Sequence, residues 1–348
     1  MKVNTDPKLD FDDVLLVPHR SKTASRSSVN LQRNYIFYHS SKEWKGVPVF
    51  AANMDTTGTV SMSNALQKHN MPTCLHKHYQ DHQYVDVITN DIYQWLSIGI
   101  KDKDYERIQR YQDKTNRVPN ICIDVANGYT DDFVNFCSRM RKDFGDSPII
   151  MAGNVCTPEM VQEIILHGGV DIVKVGIGPG SACTTRLKTG IGYPQLSTII
   201  ECSHAAHGLK NGKGKLGLIC ADGGCRNPAD VCKAFAAGAD FVMLGGMLAG
   251  TEQCEGTWEM KYGKKLSLQF YGMSSYEAQQ KYGGVKDYRA SEGRIKNIPY
   301  KGDVNKVIED ILGGLRSCCA YIGATCLKDM SKCAEFNIVN RTHFDQSV

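Results

Sequence analysis

A chain of 348 residues with 42% hydrophobic side chains can bury a large core, either as two ordinary domains or as one barrel. Its 41 basic and 37 acidic residues leave a formal charge of +4, too balanced for a polyanion binder, so nucleic acid is not an expected partner. The 14 cysteines lie scattered without C-x-x-C pairs, Met1 to Pro7 shows no secretory pattern, and no apolar run approaches the ~18 residues of a membrane span. Reduced thiols in a soluble, cytoplasmic protein without a membrane partner are the expectation.

The first elements, Leu9 to Pro18 and the Ser-rich stretch Ser21 to Ser28, precede any repeat and are expected to cap or flank the repeating part of the chain. Short apolar runs then recur roughly every 25 residues, the interval of strand–helix units joined by short loops. They are Val47 to Ala51, Met71 to Leu75, Trp95 to Ile100, Asn120 to Val125, Pro148 to Ala152, Asp171 to Val175, Leu216 to Ala221 and Asp240 to Leu244. Amphipathic helical patterns lie between several of them. Thr157 to His167 has a capping Thr, Pro158 at the first helical position and a closing Gly168-Gly169, and Asn227 to Gly238 repeats that logic.

Eight such runs predict an α/β chain folded as one (β/α)8 TIM barrel, a single domain over 1–348 with the barrel at about 45–250 and 303–325. An open doubly wound sheet is the alternative, but it lacks a phosphate fingerprint after its first strand. The polar, Gly-punctuated stretch of about 251–302 is too long for an ordinary connection and reads as a flap after strand eight. An amphipathic helix resumes at Val307 to Leu315.

A barrel of this kind places its site at the C-terminal strand ends, and the residues past each run are polar and reactive. Asn53 and Asp55 follow the first run, His76 to His78 the second, Asp124 to Gly128 the fourth and Asn154 the fifth. After the sixth comes the glycine-rich turn Gly176 to Arg186, which carries Cys183 among the hydroxyls of Ser181, Thr184 and Thr185. It is no dinucleotide fingerprint, because Pro179 and the run Cys183 to Arg186 stand where an apolar helix should open. Asp222-Gly223-Gly224 and Gly245-Gly246 follow strands seven and eight, the loops that favour a phosphate in such barrels. Free N–H groups with Arg186 nearby are expected to lower the thiol pKa of Cys183 and make it a nucleophile. His76 with His78, and Cys202 with His204 and His207, lack the four-ligand spacing of a closed zinc site.

Ala51 to Asp55, Gly176 to Arg186, Gly190 to Gln195, Ala221 to Gly224, Met243 to Gly246 and Tyr271 to Ser274 together resemble the inosine-monophosphate dehydrogenase and guanosine-monophosphate reductase family over nearly the whole chain. The early units carry no regulatory (CBS) insert, and Glu292-Gly293 after Arg289 to Ser291, the block His76 to Tyr79 and Asp124 to Tyr129 resemble the reductase branch. A dehydrogenase lacking its regulatory domain is the alternative. The resemblance implies NADPH-dependent conversion of GMP to IMP with release of ammonia, through a covalent thioimidate on Cys183 and a proton relay by Thr185 and Glu292. It implies a nucleotide site with Asp222 on the ribose and Ser181, Gly223, Gly224, Gly245, Gly246 and Tyr271 on the phosphate. Gly272, Met273, Ser274, Arg289, Ser291 and Gly293 would hold the purine.

For the NADPH cofactor the resemblance implies Lys77, Asp124, Val125, Ala126, Ile177, Gly178, Met273, Tyr288, Arg289, Cys318, Cys319 and Ala320, with Ser25, Arg26 and Ser317 reached from a neighbouring subunit of a homotetramer. Arg26 in a basic, Ser-rich segment fits a 2′-phosphate. Backbone carbonyls of Gly178, Gly180, Cys183 and Arg186 would form a potassium site.

Overall fold

The computed structural model describes residues 1, 3–23, 25–88, 92–212, 214–283 and 290–339. Eight parallel strands close into a barrel: β1 (Val49–Ala51), β2 (Thr73–Leu75), β3 (Gln94–Ile98), β4 (Ile121–Asp124), β5 (Ile150–Val155), β6 (Ile172–Val175), β7 (Leu218–Asp222) and β8 (Phe241–Leu244). Neighbours in sequence are neighbours in the barrel, and β8 closes on β1 with Val242 opposite Val49. The eight apolar runs read from the sequence are these eight strands, because strands buried on both faces read as continuous apolar segments.

Helices α1 (Val60–Gln67), α2 (Asp81–Val87), α3 (Asp102–Thr115), α4 (Asp131–Phe144), α5 (Pro158–Leu166), α6 (Gln195–Gly208), α7 (Pro228–Ala236) and α8 (Val304–Ile322) follow the strands in turn. The molecule is a (β/α)8 TIM barrel. Pro158 and Pro228 open their helices at the first turn, and Asn227 caps Asp230 N–H at the start of α7. No helix among the described residues is long and apolar enough to cross a membrane.

Strand pleat sorts the core into two layers. Val173, Val175, Ile219 and Val242 face the helices, whereas Ile172, Leu218, Cys220, Phe241 and Met243 face inward. The same alternation puts Asp124, Lys174 and Asp222 on the inner side near the C-terminal rim. A hairpin of Arg33–Ile36 and Glu43–Gly46 plugs the opposite end, where Tyr35 and Trp44 lie 4.9 and 5.1 Å from the Phe241 ring. Tyr35 completes the plug by donating to the Asp240 carbonyl at 2.9 Å.

The segment before the barrel is tied to a strand near the C-terminus and to α6. Val14–Leu16 pairs antiparallel with Phe336–Ile338, while Leu9 and Ser197 exchange bonds of 2.8 and 3.0 Å that bring residues 8–13 to the rim beside α6. After β8, the chain from Thr251 to Gly302 leaves and rejoins at a parallel bridge between those two residues. It forms a three-stranded antiparallel sheet, β9 (Trp258–Lys261), β10 (Lys264–Tyr271) and β11 (Ile295–Pro299), with a short helix at Tyr276–Tyr282. From the sequence this stretch reads only as a flap, although Leu266, Leu268 and Phe270 alternate along β10 and the last two are buried.

Candidate active site

The C-terminal rim encloses a pocket of about 290 Å³. Its floor is the inner face of β4, β6 and β7, and its walls are the turns after β6, β7 and β8. Phe270, Gly272, Met273, Ser274 and Glu292 of the flap roof it.

Cys183 stands half-buried on the β6 turn, where its N–H donates to Gly180 O at 2.9 Å. The Thr185 hydroxyl lies 3.2 Å from its sulfur and donates to Glu292 Oε2 at 2.6 Å. Backbone contacts lock this line together. Thr184 N–H donates to Glu292 O and Arg294 N–H to Ala182 O, at 2.9 and 3.0 Å, so the β6 turn and the flap pair as two short strands around a Cys183–Gly293 bridge. Gly293 also packs within the flap, where a Cβ would stand 2.7 Å from Ser275 Cβ.

Opposite the sulfur, Gly223 and Gly224 adopt φ of +82° and +89°, a left-handed region open to glycine, and pack against Gly180 and Pro179. Gly245 and Gly246 follow β8, with Ser181 Oγ 3.3 Å from where a Gly246 Cβ would lie. The cradle thus combines four glycines and one hydroxyl, a set suited to an anion.

Between cradle and nucleophile lies a buried charge cluster. Lys174, only 2% exposed, donates to Asp124 Oδ1 at 2.5 Å and to Asp222 Oδ2 at 2.8 Å. Asn154 Nδ2 donates to the same Asp222 oxygen at 2.8 Å. Burial works against the Lys174 ammonium, yet the two carboxylates overcome it and hold its pKa well above the ordinary value. Burial likewise opposes the Asp124 carboxylate, but Lys174 and Lys77 pull its pKa below the usual range.

A second cluster fastens the flap. Asp55, 4% exposed, accepts from Tyr271 at 2.6 Å, Tyr282 at 2.7 Å and Lys281 at 2.9 Å. Burial would raise its pKa, but these donors lower it. The Tyr282 ring stacks on His78 with centroids 3.4 Å apart, and His76 stacks on Tyr79 at 4.0 Å. His76 Nδ1 accepts from His78 N–H at 3.2 Å.

Most residues singled out from the sequence meet here. Cys183, Thr185, Glu292, Ser181, Asp222, the four glycines of the cradle, Gly272, Met273 and Ser274 line the pocket. Asp124, Val125, Ala126, Ile177, Gly178 and Gly180 line it as well. Ser25, Arg26 and Ser317 to Ala320 form a separate group. The turn Arg26–Ser28 packs on α8, where the Arg26 guanidinium lies 5.8 Å from the Tyr321 ring centroid. Tyr288 and Arg289 lie outside the described residues.

Four of the residues singled out from the sequence make further contacts in the structure. The Tyr271 hydroxyl donates to Asp55. Ser291 accepts from Tyr276 N–H at 2.9 Å and serves the flap helix, away from the pocket wall. Arg186 is not the free cation of the thiol: it pairs with Asp10 at 3.2 Å and donates to Tyr193 O at 2.5 Å. Cys319 is fully buried on the core face of α8. Asp10 and Lys174 were missed. Asp10 acts from 176 residues away, whereas Lys174 did leave a signal, a lone lysine in register with inward-facing Ile172.

A glycine-cradled anion site facing a cysteine at the rim of a (β/α)8 barrel defines a class of enzymes acting on phosphorylated small molecules. Residues 8–347 match the family model described as the IMP dehydrogenase / GMP reductase domain. The chain is 51% identical to a GMP reductase of Ascaris suum, covering 99% of this chain and 97% of that one. It is 50% identical to GMP reductase 1 of Homo sapiens (98% of each chain) and 50% identical to a GMP reductase of Escherichia coli (97% and 96%). The chain belongs to the IMP dehydrogenase / GMP reductase family.

Proposed function

We propose that this chain is a GMP reductase, converting GMP to IMP and ammonia with NADPH in purine nucleotide interconversion and salvage. The observation that carries the reading is the line Cys183–Thr185–Glu292, closed by the flap over a pocket whose far wall is the glycine cradle. The names of the relatives support it.

In this reading the GMP phosphate seats on Ser181, Gly223, Gly224, Gly245 and Gly246, and Asp222 accepts from the ribose. That seating brings C2 of the purine to Cys183. The thiol proton passes through Thr185 to Glu292, and the sulfur forms a bond to C2. Glu292 returns the proton through Thr185 to the exocyclic nitrogen, the C2–N bond breaks, and ammonia leaves. A thioimidate between Cys183 and the purine remains. NADPH, when bound, supplies the hydride that reduces C2. Cleavage of the C–S bond then frees IMP and the thiolate, which takes a proton from solvent.

Asp124, Val125, Ala126, Ile177, Gly178 and Met273 would hold the nicotinamide end, with Lys77 beside Asp124. The group formed by Ser25, Arg26, Ser317, Cys318 and Ala320 stands apart from the pocket in one chain, which supports a neighbouring copy in a homotetramer as the source of the second half of the cofactor site. Arg26 is the cation offered to a 2′-phosphate. The carbonyls of Gly178, Gly180, Cys183 and Arg186 suit a hard monovalent cation such as potassium. Those of Gly180 and Arg186 each already accept one N–H bond and keep a second lone pair. Fourteen free thiols support a reducing, cytoplasmic setting.

The test mixes the protein with each pairing of GMP or IMP with NADPH or NAD+ and follows the nicotinamide absorbance. GMP with NADPH is expected to react alone. Reaction of IMP with NAD+ instead would make the chain a dehydrogenase without its regulatory domain.

A further inference from the structure

We propose that Lys174 is a positioning residue that ties the nucleotide subsite to the cofactor subsite by holding Asp222 and Asp124 on one buried ammonium. The proposal rests on the assignment of Asp222 to the ribose and Asp124 to the cofactor.

Three observations carry it. The pleat of β6 turns Lys174 inward in register with Ile172, so its stem fills the barrel interior and its nitrogen emerges just beneath the pocket. That nitrogen bonds both carboxylates, which come from different strands, β4 and β7. On Asp222 the bonds from Lys174 and Asn154 both fall on Oδ2, so Oδ1 is left to accept from a ligand. A lysine so enclosed is rarely retained without a partner, and here it has two.

The other ionisable groups around it are the thiols of Cys74, Cys122 and Cys220 on β2, β4 and β7 and, beyond Asp124, Lys77. Lys77 acts on Asp124, whereas Lys174 bonds both carboxylates. Without Lys174 the two carboxylates lose their shared counter-charge, and their repulsion moves them off the positions in which the ribose and the cofactor would each meet an acceptor. One positive charge therefore keeps both carboxylates ready and makes each sensitive to what binds the other.

Calorimetric titration of GMP and of NADP+ tests this on the full-length protein, with folding checked by circular dichroism. Lys174→Met and Lys174→Gln are each made alone and combined with Asp124→Asn, so that a folded neutral variant is in hand if one fails. The single variants are expected to weaken GMP by about tenfold or more and to weaken NADP+ as well. Adding Asp124→Asn removes the competing carboxylate, so GMP affinity should return to within about threefold of the natural protein while NADP+ stays weak. Single variants that bind both ligands normally would overturn the proposal. So would a double variant that fails to recover GMP, because lost packing is not repaired by removing a charge. A natural protein that binds no GMP would instead overturn the assignment of function.

Discussion

The Thr185 hydroxyl reaches across 107 residues of chain to donate a 2.6 Å hydrogen bond to Glu292, while its oxygen stands 3.2 Å from the Cys183 sulfur. One hydroxyl thus touches the nucleophile and the acid together. In the proposed reaction the relay would work only while the flap is paired to the β6 turn, so chemistry and flap closure would share the same contacts.

Glu292→Gln keeps the shape of that contact and removes the proton carrier. Steady-state turnover with GMP and NADPH is expected to fall by about 10²- to 10⁴-fold, the range for loss of a general acid–base group. GMP affinity measured by calorimetry should change by less than about threefold. Unaltered turnover would remove Glu292 from the relay.

Asp55 is expected to govern flap docking. In Asp55→Asn, Tyr271, Tyr282 and Lys281 lose a shared anionic acceptor whose charge-assisted bonds are about twice as strong as neutral ones. KM for GMP should rise by about tenfold, kcat should change less, and the flap should become the first site of limited proteolysis. A variant with natural KM and protease resistance would show that the clasp does not hold the flap.

Three histidines give the fold a pH dependence of definite sign. Burial lowers His39, His76 and His78 to about 4 in the folded chain, whereas an unfolded histidine titrates near ~6.5. Between those values the unfolded chain binds more protons, so stability is full above about pH 6.5 and is lost as pH falls toward 4, by at most ~1.4 kcal/mol per pH unit for each histidine. Asp55 and Asp124, both held low, stay ionised through this window and do not offset the loss. Scanning fluorimetry should show Tm falling from pH 7 to pH 4.5, and a flat or rising Tm would contradict the assignment. Because His78 stacks on Tyr282, proteolysis of the flap should increase over the same range.

The barrel was legible in the sequence because parallel strands buried on both faces leave uninterrupted apolar runs, and the rim was legible because polar residues cluster just past them. Cys183, the glycine pairs and Glu292 could be placed from local pattern and resemblance. What could not be read depends on contacts between distant segments. Asp10 neutralises Arg186 and so takes away the cation that the thiol was expected to have nearby. Asp55 accepts from Tyr271 over a separation of 216 residues. In the flap sheet the alternating apolar pattern of Leu266, Leu268 and Phe270 is set in a long polar excursion, and Lys174 is inward only because the closed barrel gives β6 an inside.

That Cys183 carries the purine while its amine leaves as ammonia is tested most directly by the stoichiometry of NADPH oxidised to ammonia released from GMP, in the natural protein and in Cys183→Ala. One ammonia per NADPH is expected from the natural protein. In the variant both should fall by at least about 10³-fold, with GMP still bound. Turnover by Cys183→Ala near the natural rate, or NADPH oxidation without ammonia, would contradict the covalent mechanism.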